Sequence, residues 1–331
     1  MRAAMTLALI LACATAWAQT TQSVTYIDAD GQQKTASATL IEGGWDELEL
    51  TAGYWYVVSS DDVYRDAPIS VNGDGAANII LADGATFTYY GMDAIIDGSL
   101  NIYGQSAGTG KFDFDNSESL GTEQSYLITG DLTIYGGKVT LIGHEAVENV
   151  SNSQTAVSGN VTIYRGSLYA EGGSHPLGGS NAIDGNVSFY GGNLEAHGGS
   201  GSGDEGYSDG YGIQGNIYLS WSDTLDRFFC DRHNDYNSIT IEANKFFVDE
   251  ENTIHSRTNV GNIADHILQP LTGWHQNGNV YTISDANGWN AFCEALQDND
   301  TYNRFSGDTV KLANNITVTR MAGSLDRKSI V

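Results

Sequence analysis

One short phrase recurs five times in this chain of 331 residues, at intervals of roughly thirty residues. It reads Gly-Asn-Val-Thr-Ile-Tyr-Arg at residues 159–165, and related forms stand at residues 98–104, 130–136, 185–191 and 215–221. A repeat of this size, rich in β-formers and glycine, cannot bury its apolar face alone and must stack on its neighbours. The repeats therefore predict a β-solenoid.

Alternation of apolar and polar residues predicts three strands in each coil. In one coil the first strand points Val161 and Ile163 inward, the second points Leu168 and Ala170 inward, and the third ends at Val157. Helical periodicity is absent there, so we expect an all-β, right-handed parallel β-helix. We also expect a polar ladder at one turn, formed by the second residue of each phrase: Ser99, Asp131, Asn160, Asn186 and Asn216.

The flanking segments carry other patterns. Residues 23–41 read as a hairpin that begins or caps the solenoid, with strands also at 54–58, 78–81 and 86–90. We divide the chain into an N-terminal cap with the first coils (19–97), regular repeats (98–221), a closing region (222–275) and the start of a second, truncated repeat domain (276–331). In that last part we expect a helix at 286–297, with Trp289, Phe292, Cys293 and Leu296 on its apolar face, and strands at 309–312 and 316–318.

The N-terminus predicts export. Arg2 is followed by a short apolar run and by Ala-Trp-Ala at 16–18, which is typical of a signal peptide cleaved after Ala18. The run is too short to span a bilayer, which takes roughly 20 apolar residues. A lipoprotein signal with Cys13 as the lipidated residue is the alternative. Both readings give a secreted or cell-surface protein.

Composition limits the partners and the means of stabilisation. The chain has 41 acidic and 15 basic residues, a net charge of −26, which disfavours nucleic acid and anionic membranes and favours cations. Beyond the signal peptide only Cys230 and Cys293 remain, so a disulfide framework is not expected. We expect a monomer.

Several segments together resemble a known group of proteins. They are Trp-Tyr-Val-Val at 55–58, Ile-Leu-Ala-Asp-Gly-Ala-Thr at 80–86, the glycine-rich stretch 100–110 and the repeated phrase itself. Over about 23–275 the chain is similar to secreted, pectin-lyase-like or carbohydrate-binding-domain β-helix surface proteins of anaerobic gut-type bacteria. The segment 289–316 is similar to the start of a Gly-Leu-rich surface repeat. The resemblance implies extracellular display and glycan contact, and supplies no catalytic residues.

The first candidate site is a column of outward tyrosines. If the coils superimpose, these rings stack at the strand spacing on one flank, as a strip on which sugar rings could lie. The alternative is that tyrosine is simply a good strand residue that stacks for stability. The residues are Tyr103, Tyr135, Tyr164 and Tyr190.

The second candidate site is the outward face of the middle strands and the long acidic loop after it. Tyr169, Glu171 and Glu195 are candidates for contact with a glycan. Calcium takes six to eight oxygen ligands, so the acids of this region are the candidate ligands for a calcium ion. A solvated polar face is the alternative. The candidate calcium ligands are Asp113, Asp115, Asp204, Glu205 and Asp209.

Catalysis is a further hypothesis, because β-helices host polysaccharide lyases and hydrolases. Such a lyase combines calcium with an Arg or Lys base, but residues 98–214 contain only three basic residues against 13 acidic ones. His144, His175 and His197 lie on separate coils without partners at a recognisable spacing. We therefore expect a non-catalytic protein that binds polysaccharide, with calcium as a candidate aid. A structural adhesin stalk is the alternative, and a lyase is the third possibility.

Overall fold

The fold was established from a computed structural model that describes residues 21–91, 95–117, 125–145, 153–175, 178–201, 209–257, 259–297 and 307–318. The predicted signal peptide, Cys13, Asp204 and Glu205 lie outside these residues. Nearly all regular structure is β, and stacked parallel coils form a β-solenoid of about eight turns. The predicted fold class is therefore confirmed.

The strands before the regular repeats are short and follow one another at close intervals. They are β1 (Thr21–Ile27), β2 (Gln33–Leu40), β3 (Leu48–Thr51), β4 (Trp55–Val58), β5 (Val63–Arg65), β6 (Ile69–Asn72), β7 (Ala76–Leu81), β8 (Thr86–Tyr89) and β9 (Ile96–Asp97).

The regular coils contribute strands of similar length. They are β10 (Ser99–Gly104), β11 (Lys111–Asp115), β12 (Tyr126–Ile128), β13 (Leu132–Ile134), β14 (Lys138–Ile142), β15 (Thr155–Val157), β16 (Val161–Ile163), β17 (Ser167–Glu171), β18 (Val187–Phe189), β19 (Asn193–His197) and β20 (Ile217–Leu219).

The closing region and the C-terminal extension complete the described chain. They contain β21 (Arg227–Cys230), β22 (Ile239–Ile241), β23 (Phe247–Val248), β24 (Ile254–His255), β25 (Ile267–Pro270), β26 (Trp274–Asn277), β27 (Val280–Ile283), α1 (Ala286–Gln297) and β28 (Thr309–Leu312). No helix in these described ranges has the length and apolar character needed to cross a bilayer.

Three parallel sheets form the walls of the solenoid. Sheet 1 has the order β1-β2-β4-β7-β10-β13-β16-β18-β20-β22, and sheet 2 runs from β5 and β8 through β11, β14, β17, β19 and β21 to β25, β23 and β24. Sheet 3 contains β3, β6, β9, β12 and β15, and single bridges at Ile183 and Ile213 continue it. The inward aliphatic columns predicted for the three strands of each coil are all present.

Those inward side chains form one continuous core along the solenoid. Val161, Ile163, Leu168 and Ala170 are at most 1 % exposed, and equivalent residues of the coils above and below pack against them. Full burial of one such Val, Ile or Leu side chain stabilises a fold by about 1.5–3 kcal/mol. Each coil depends on its neighbours for this burial.

The predicted polar ladder occupies one turn of every regular coil. Asn186 Oδ1 accepts hydrogen bonds from the backbone N and the Nδ2 of Asn216, both at 2.9 Å, and Asn160 Oδ1 accepts the same pair from Asn186 at 3.0 Å. Asp131 Oδ1 receives the pair from Asn160, and Ser99 Oγ receives the backbone N–H of Asp131. The prediction that these residues bond to their own copies is confirmed.

Glycine opens each phrase because the coils touch at that point. A Cβ added at Gly159, Gly185 or Gly215 would collide with the carbonyl of the equivalent glycine one coil earlier. Only glycine allows this approach of backbone to backbone. The glycine column and the polar ladder beside it fix the register that superimposes the strands.

The N-terminal hairpin caps sheet 1 as predicted, and it also lies on the outer face of that sheet. β2 continues the sheet by parallel pairing with β4, while β1 folds back antiparallel on β2. Val24 and Ala38 pack there on Val57, Ile80 and Tyr103, which point outward from β4, β7 and β10. A second, smaller apolar cluster therefore forms outside the solenoid.

The C-terminal end is closed by antiparallel strands. β25 pairs with the last parallel strand of sheet 2, β21, and β23 and β24 pair beyond it. This change of direction leaves no further coil to be stacked on sheet 2, and it falls in the region where the phrase decays.

The extension beyond the cap contains the predicted helix. Phe292 and Cys293 of its predicted apolar face are buried, whereas Trp289 and Leu296 are only partly buried. Ala291 and Ala295 of α1, which were not predicted, pack on Phe246 and Leu271 of the cap. β28 is the predicted strand at 309–312, but residues 316–318 form no strand.

Candidate functional site

The tyrosine column exists and is in register. The backbone N–H groups of Tyr135, Tyr164 and Tyr190 donate to the carbonyls of Ile102, Ile134 and Ile163 in the preceding coils, at 2.8–2.9 Å. Each tyrosine therefore occupies the same place just after a sheet 1 strand. Ring centroids lie 4.4 Å apart for Tyr103–Tyr135, 5.1 Å for Tyr135–Tyr164 and 5.0 Å for Tyr164–Tyr190, with planes within 9° of parallel.

The rings stack on one another, so they do not form the flat strip expected from the sequence. At these spacings most of each ring face is covered by the next ring, and the solvent side offers ring edges and phenol hydroxyls. Burial, followed by the neighbouring tyrosines, raises the pKa of Tyr164. The column presents a row of phenol hydroxyls, one per coil.

The first member of the column is not accessible. Tyr103 is 8 % exposed, because Tyr26 of the hairpin and Trp55 of β4 cover it at centroid distances of 5.0 and 4.8 Å. Sequence alone could not show that the hairpin folds onto this face. The open part of the column, named the tyrosine ladder below, consists of Tyr135, Tyr164 and Tyr190, each partly exposed.

The hairpin is fastened along the ladder. Gln105 Nε2 donates to the Thr25 carbonyl at 3.0 Å, and the hairpin tip at Gly31 packs against the guanidinium of Arg165. Gly31 has a φ of 75°, a left-handed backbone conformation that favours glycine. Because Arg165 follows Tyr164, the tip lies beside the middle ring of the ladder, and Tyr135 packs against the hairpin cluster.

Tyr218 forms one boundary of the open ladder and was missed by the sequence reasoning. It lies one column aside, on the outward position of β20, with its centroid 5.6 Å from Tyr190 and its plane tilted by 51°. The last phrase places its tyrosine two residues earlier than the others do. That displacement is visible in the sequence and is the signal that could have indicated the end of the stack.

The outward face of sheet 2 gathers a second group. The register places Tyr169 beside Glu195, Glu195 beside Phe229, and Glu171 beside His197. The Tyr169 hydroxyl donates to Glu171 Oε2 at 2.5 Å. The three residues predicted for glycan contact, Tyr169, Glu171 and Glu195, therefore lie together, as the alternation of the strands suggested.

His197 links the acids of this group. Its Nε2 lies 3.1 Å from Glu195 Oε1, and its Nδ1 lies 3.7 Å from Asp231 Oδ2. The interaction with the Asp231 carboxylate outweighs burial and, with the hydrogen bond to Glu195, raises the pKa of His197. Asp231 and Phe229 were not predicted, because the sequence of the loop before β21 does not show how β21 aligns with β19.

The candidate calcium ligands are dispersed. Asp113 and Asp115 point outward from β11, and burial followed by the charge of Asp115 raises the pKa of Asp113. Asp209 forms an ion pair with Arg232 and accepts a hydrogen bond from the Gly201 N–H at 2.7 Å. Within the described ranges, no group of three or more His, Cys, Asp or Glu side chains is arranged to hold a metal ion.

Three arginines near these faces have structural contacts. Arg65 donates to backbone carbonyls, Arg165 lies against the hairpin tip, and Arg232 pairs with Asp209. Lys111 and Lys138 differ from them, because they are exposed side by side on the outward face of sheet 2.

Comparison with known proteins adds no assignment. No family model, curated protein or solved structure matches the chain.

Proposed function

We propose that the protein is exported, is displayed outside the cell, and binds polysaccharide without catalysing a reaction. The observation that carries this proposal is the tyrosine ladder, a regular row of hydroxyls repeated once per coil. A polymer of similar units can contact such a row at several successive points. Surface loops of the same solenoid, which vary in length, would add specificity.

The expected interaction at the ladder is hydrogen bonding. A neutral phenol both donates and accepts, and a sugar hydroxyl does the same. A hydrogen bond contributes about 0.5–1.5 kcal/mol net, so three rungs give weak binding that improves as more coils are engaged. The strong negative charge of the chain favours neutral over anionic polysaccharides.

Calcium assistance and the route of export remain parts of the proposal. Asp113, Asp115 and Asp209, with Asp204 and Glu205 outside the described residues, are the acids to test by calcium titration. Cleavage after Ala18 gives a freely secreted protein, whereas lipidation of Cys13 would anchor it.

The decisive experiment removes hydroxyls and keeps the stack. A variant with Tyr135→Phe, Tyr164→Phe and Tyr190→Phe retains three stacked rings, while Tyr236→Phe changes a 97 % exposed tyrosine elsewhere. We expect the triple variant to lose glycan binding on an array and the Tyr236 control to bind as wild type does. If the triple variant bound the array as strongly as the wild type does, the ladder would be excluded as the binding surface.

A structural stalk is the second candidate, favoured by the fact that the rings cover one another. If the ladder serves only rigidity, the triple variant keeps its thermal midpoint and the wild type binds no glycan on the array. The two proposals therefore differ in the behaviour of the unmodified protein.

A further inference from the structure

An exposed aromatic group lies at the N-terminal end of sheet 2, away from the tyrosine ladder. Trp45 is 73 % exposed and Tyr90 is 48 % exposed, with Tyr64 between them. The Trp45–Tyr64 centroids lie 5.3 Å apart at 60°, and the Tyr64–Tyr90 centroids lie 5.0 Å apart at 64°. These three residues are named the aromatic corner.

The edge-to-face arrangement distinguishes this corner from the ladder. Parallel stacking covers ring faces, whereas rings at 60° and 64° leave faces open to the solvent. An aromatic face carries partial negative charge and attracts the weakly positive C–H groups of an apolar surface. With Trp45 almost fully exposed, an indole face is available for such a contact.

The loop that carries Trp45 is held by a buried arginine. Arg65 is 6 % exposed, and its guanidinium donates to the carbonyls of Glu42 at 2.7 Å and of Asp46, on either side of Trp45. Gly44 N also donates to the Tyr64 carbonyl at 3.0 Å. These hydrogen bonds hold the backbone on both sides of Trp45.

Simple capping of the sheet does not account for this arrangement. A residue that shields the edge of β5 would be buried by that role, yet most of the indole surface faces solvent. Exposed aromatic clusters of this kind mark interaction sites on otherwise polar surfaces.

We propose that the aromatic corner is a sugar-binding site that takes the apolar face of a neutral hexopyranose ring. Trp45 would stack on the ring, and the hydroxyls of Tyr64 and Tyr90 would hydrogen-bond its edge. The surrounding acids, Asp46, Glu47 and Asp66, disfavour uronates and phosphates and can accept hydrogen bonds from sugar hydroxyls. The ligand class rests on the proposed function, but the site and its residues are independent of the ladder.

The test follows tryptophan fluorescence and binding enthalpy while neutral β-1,4-linked and α-1,4-linked gluco-oligosaccharides are added. We expect Trp45→Ala to weaken binding at least tenfold and Trp45→Phe to retain part of the affinity. Tyr236→Ala is the matched control for loss of an exposed ring. Because Trp45 is so exposed, both Trp45 variants should have the same thermal midpoint as the wild type.

The outcomes separate this inference from the proposed function. Loss of affinity in Trp45→Ala, whatever the triple Phe variant of the ladder does, supports the aromatic corner. Unchanged affinity in Trp45→Ala with loss in the ladder variant overturns the aromatic corner and leaves polysaccharide binding in place. Failure of the wild-type protein to bind any of these oligosaccharides overturns this site, while an array that still retains polymeric glycans preserves the wider proposal.

Discussion

Replacing His255 by alanine should destabilise the C-terminal cap more than any other single change to a polar residue there. The side chains of His255 and Asp249 are each 2 % exposed, and His255 Nε2 lies 2.9 Å from Asp249 Oδ2. His255 Nδ1 faces the Val260 carbonyl. Both ring nitrogens of His255 therefore face oxygen atoms.

The magnitude follows from leaving a buried carboxylate without its partner. Leaving a buried polar group without its hydrogen-bond partner costs about 1–3 kcal/mol, and more when the group is charged. Asp249→Asn should lower the free energy of unfolding by less. In the wild type Asp249 Oδ1 accepts hydrogen bonds from the backbone N–H groups of Glu251 and Thr253 at 2.9 and 2.7 Å, and the amide oxygen of asparagine can still accept them. The double variant should be more stable than His255→Ala alone, since no unpaired charge remains.

The assay is urea unfolding at pH 7, with hydrogen exchange to locate the change. We expect faster exchange at residues 247–271 and unchanged exchange at residues 98–145, because a solenoid loses stability locally. A cost below 1 kcal/mol in His255→Ala, or a double variant no better than the single one, would refute the reasoning.

The same pair gives a pH dependence. Burial raises the pKa of Asp249, but hydrogen bonds from His255 and Thr253 outweigh it, and the pKa lies below its ordinary value. A carboxyl whose pKa is lower in the folded state contributes stability above its unfolded pKa and loses it as the pH falls through the folded pKa. The cap should therefore loosen on acidification, and Asp249→Asn should remove that part of the acid sensitivity.

Two further predictions concern the repeats. Asn186→Ala removes the side-chain hydrogen bonds to Asn160 and Asn216, so it should lower the free energy of unfolding in urea by about 1–2 kcal/mol. Asn186→Asp should cost less, because it keeps the acceptor oxygen, as Asp131 does in its own coil. Gly185→Ala pushes a methyl group into the Gly159 backbone, so it should lower the free energy of unfolding by about 1–3 kcal/mol or more. The measurement is the thermal midpoint, which should fall. An unchanged midpoint would contradict the close contact.

The coils could be predicted because every coil repeats the same constraints. Glycine at the close contact, an amide at the turn and alternating aliphatic residues each fix one part of the winding. The inward positions of Val161 and Ile163 could therefore be predicted from alternation alone. Even the outward columns of sheet 2, such as Tyr169 beside Glu195, followed from the same rule.

The sites could be predicted only where they obey the repeat. Tyr103 is buried by the hairpin, a tertiary contact that local pattern does not encode. Trp45 lies before the first phrase, in a loop whose position depends on Arg65, twenty residues later. Asp231 reaches His197 only because of the length of the preceding loop. In each case a long-range contact decides the outcome.

This difference suggests where recognition should be sought on such a fold. Inside a regular stack, each side chain finds its best partner in its own copy one coil away, as the tyrosine rings and asparagine amides do. Ring faces and amide groups are then largely committed to stability, and the ladder keeps only its hydroxyls for a ligand. Where the repeat begins or decays, the aromatic copy is missing: Trp45 stays 73 % exposed at one end, and at the other Tyr218 has Thr240 of β22 and Ser188 of β18 beside it in place of aromatic rings. Affinity for sugar rings should therefore concentrate at the ends of the solenoid, and contacts to extended chains should run along its side.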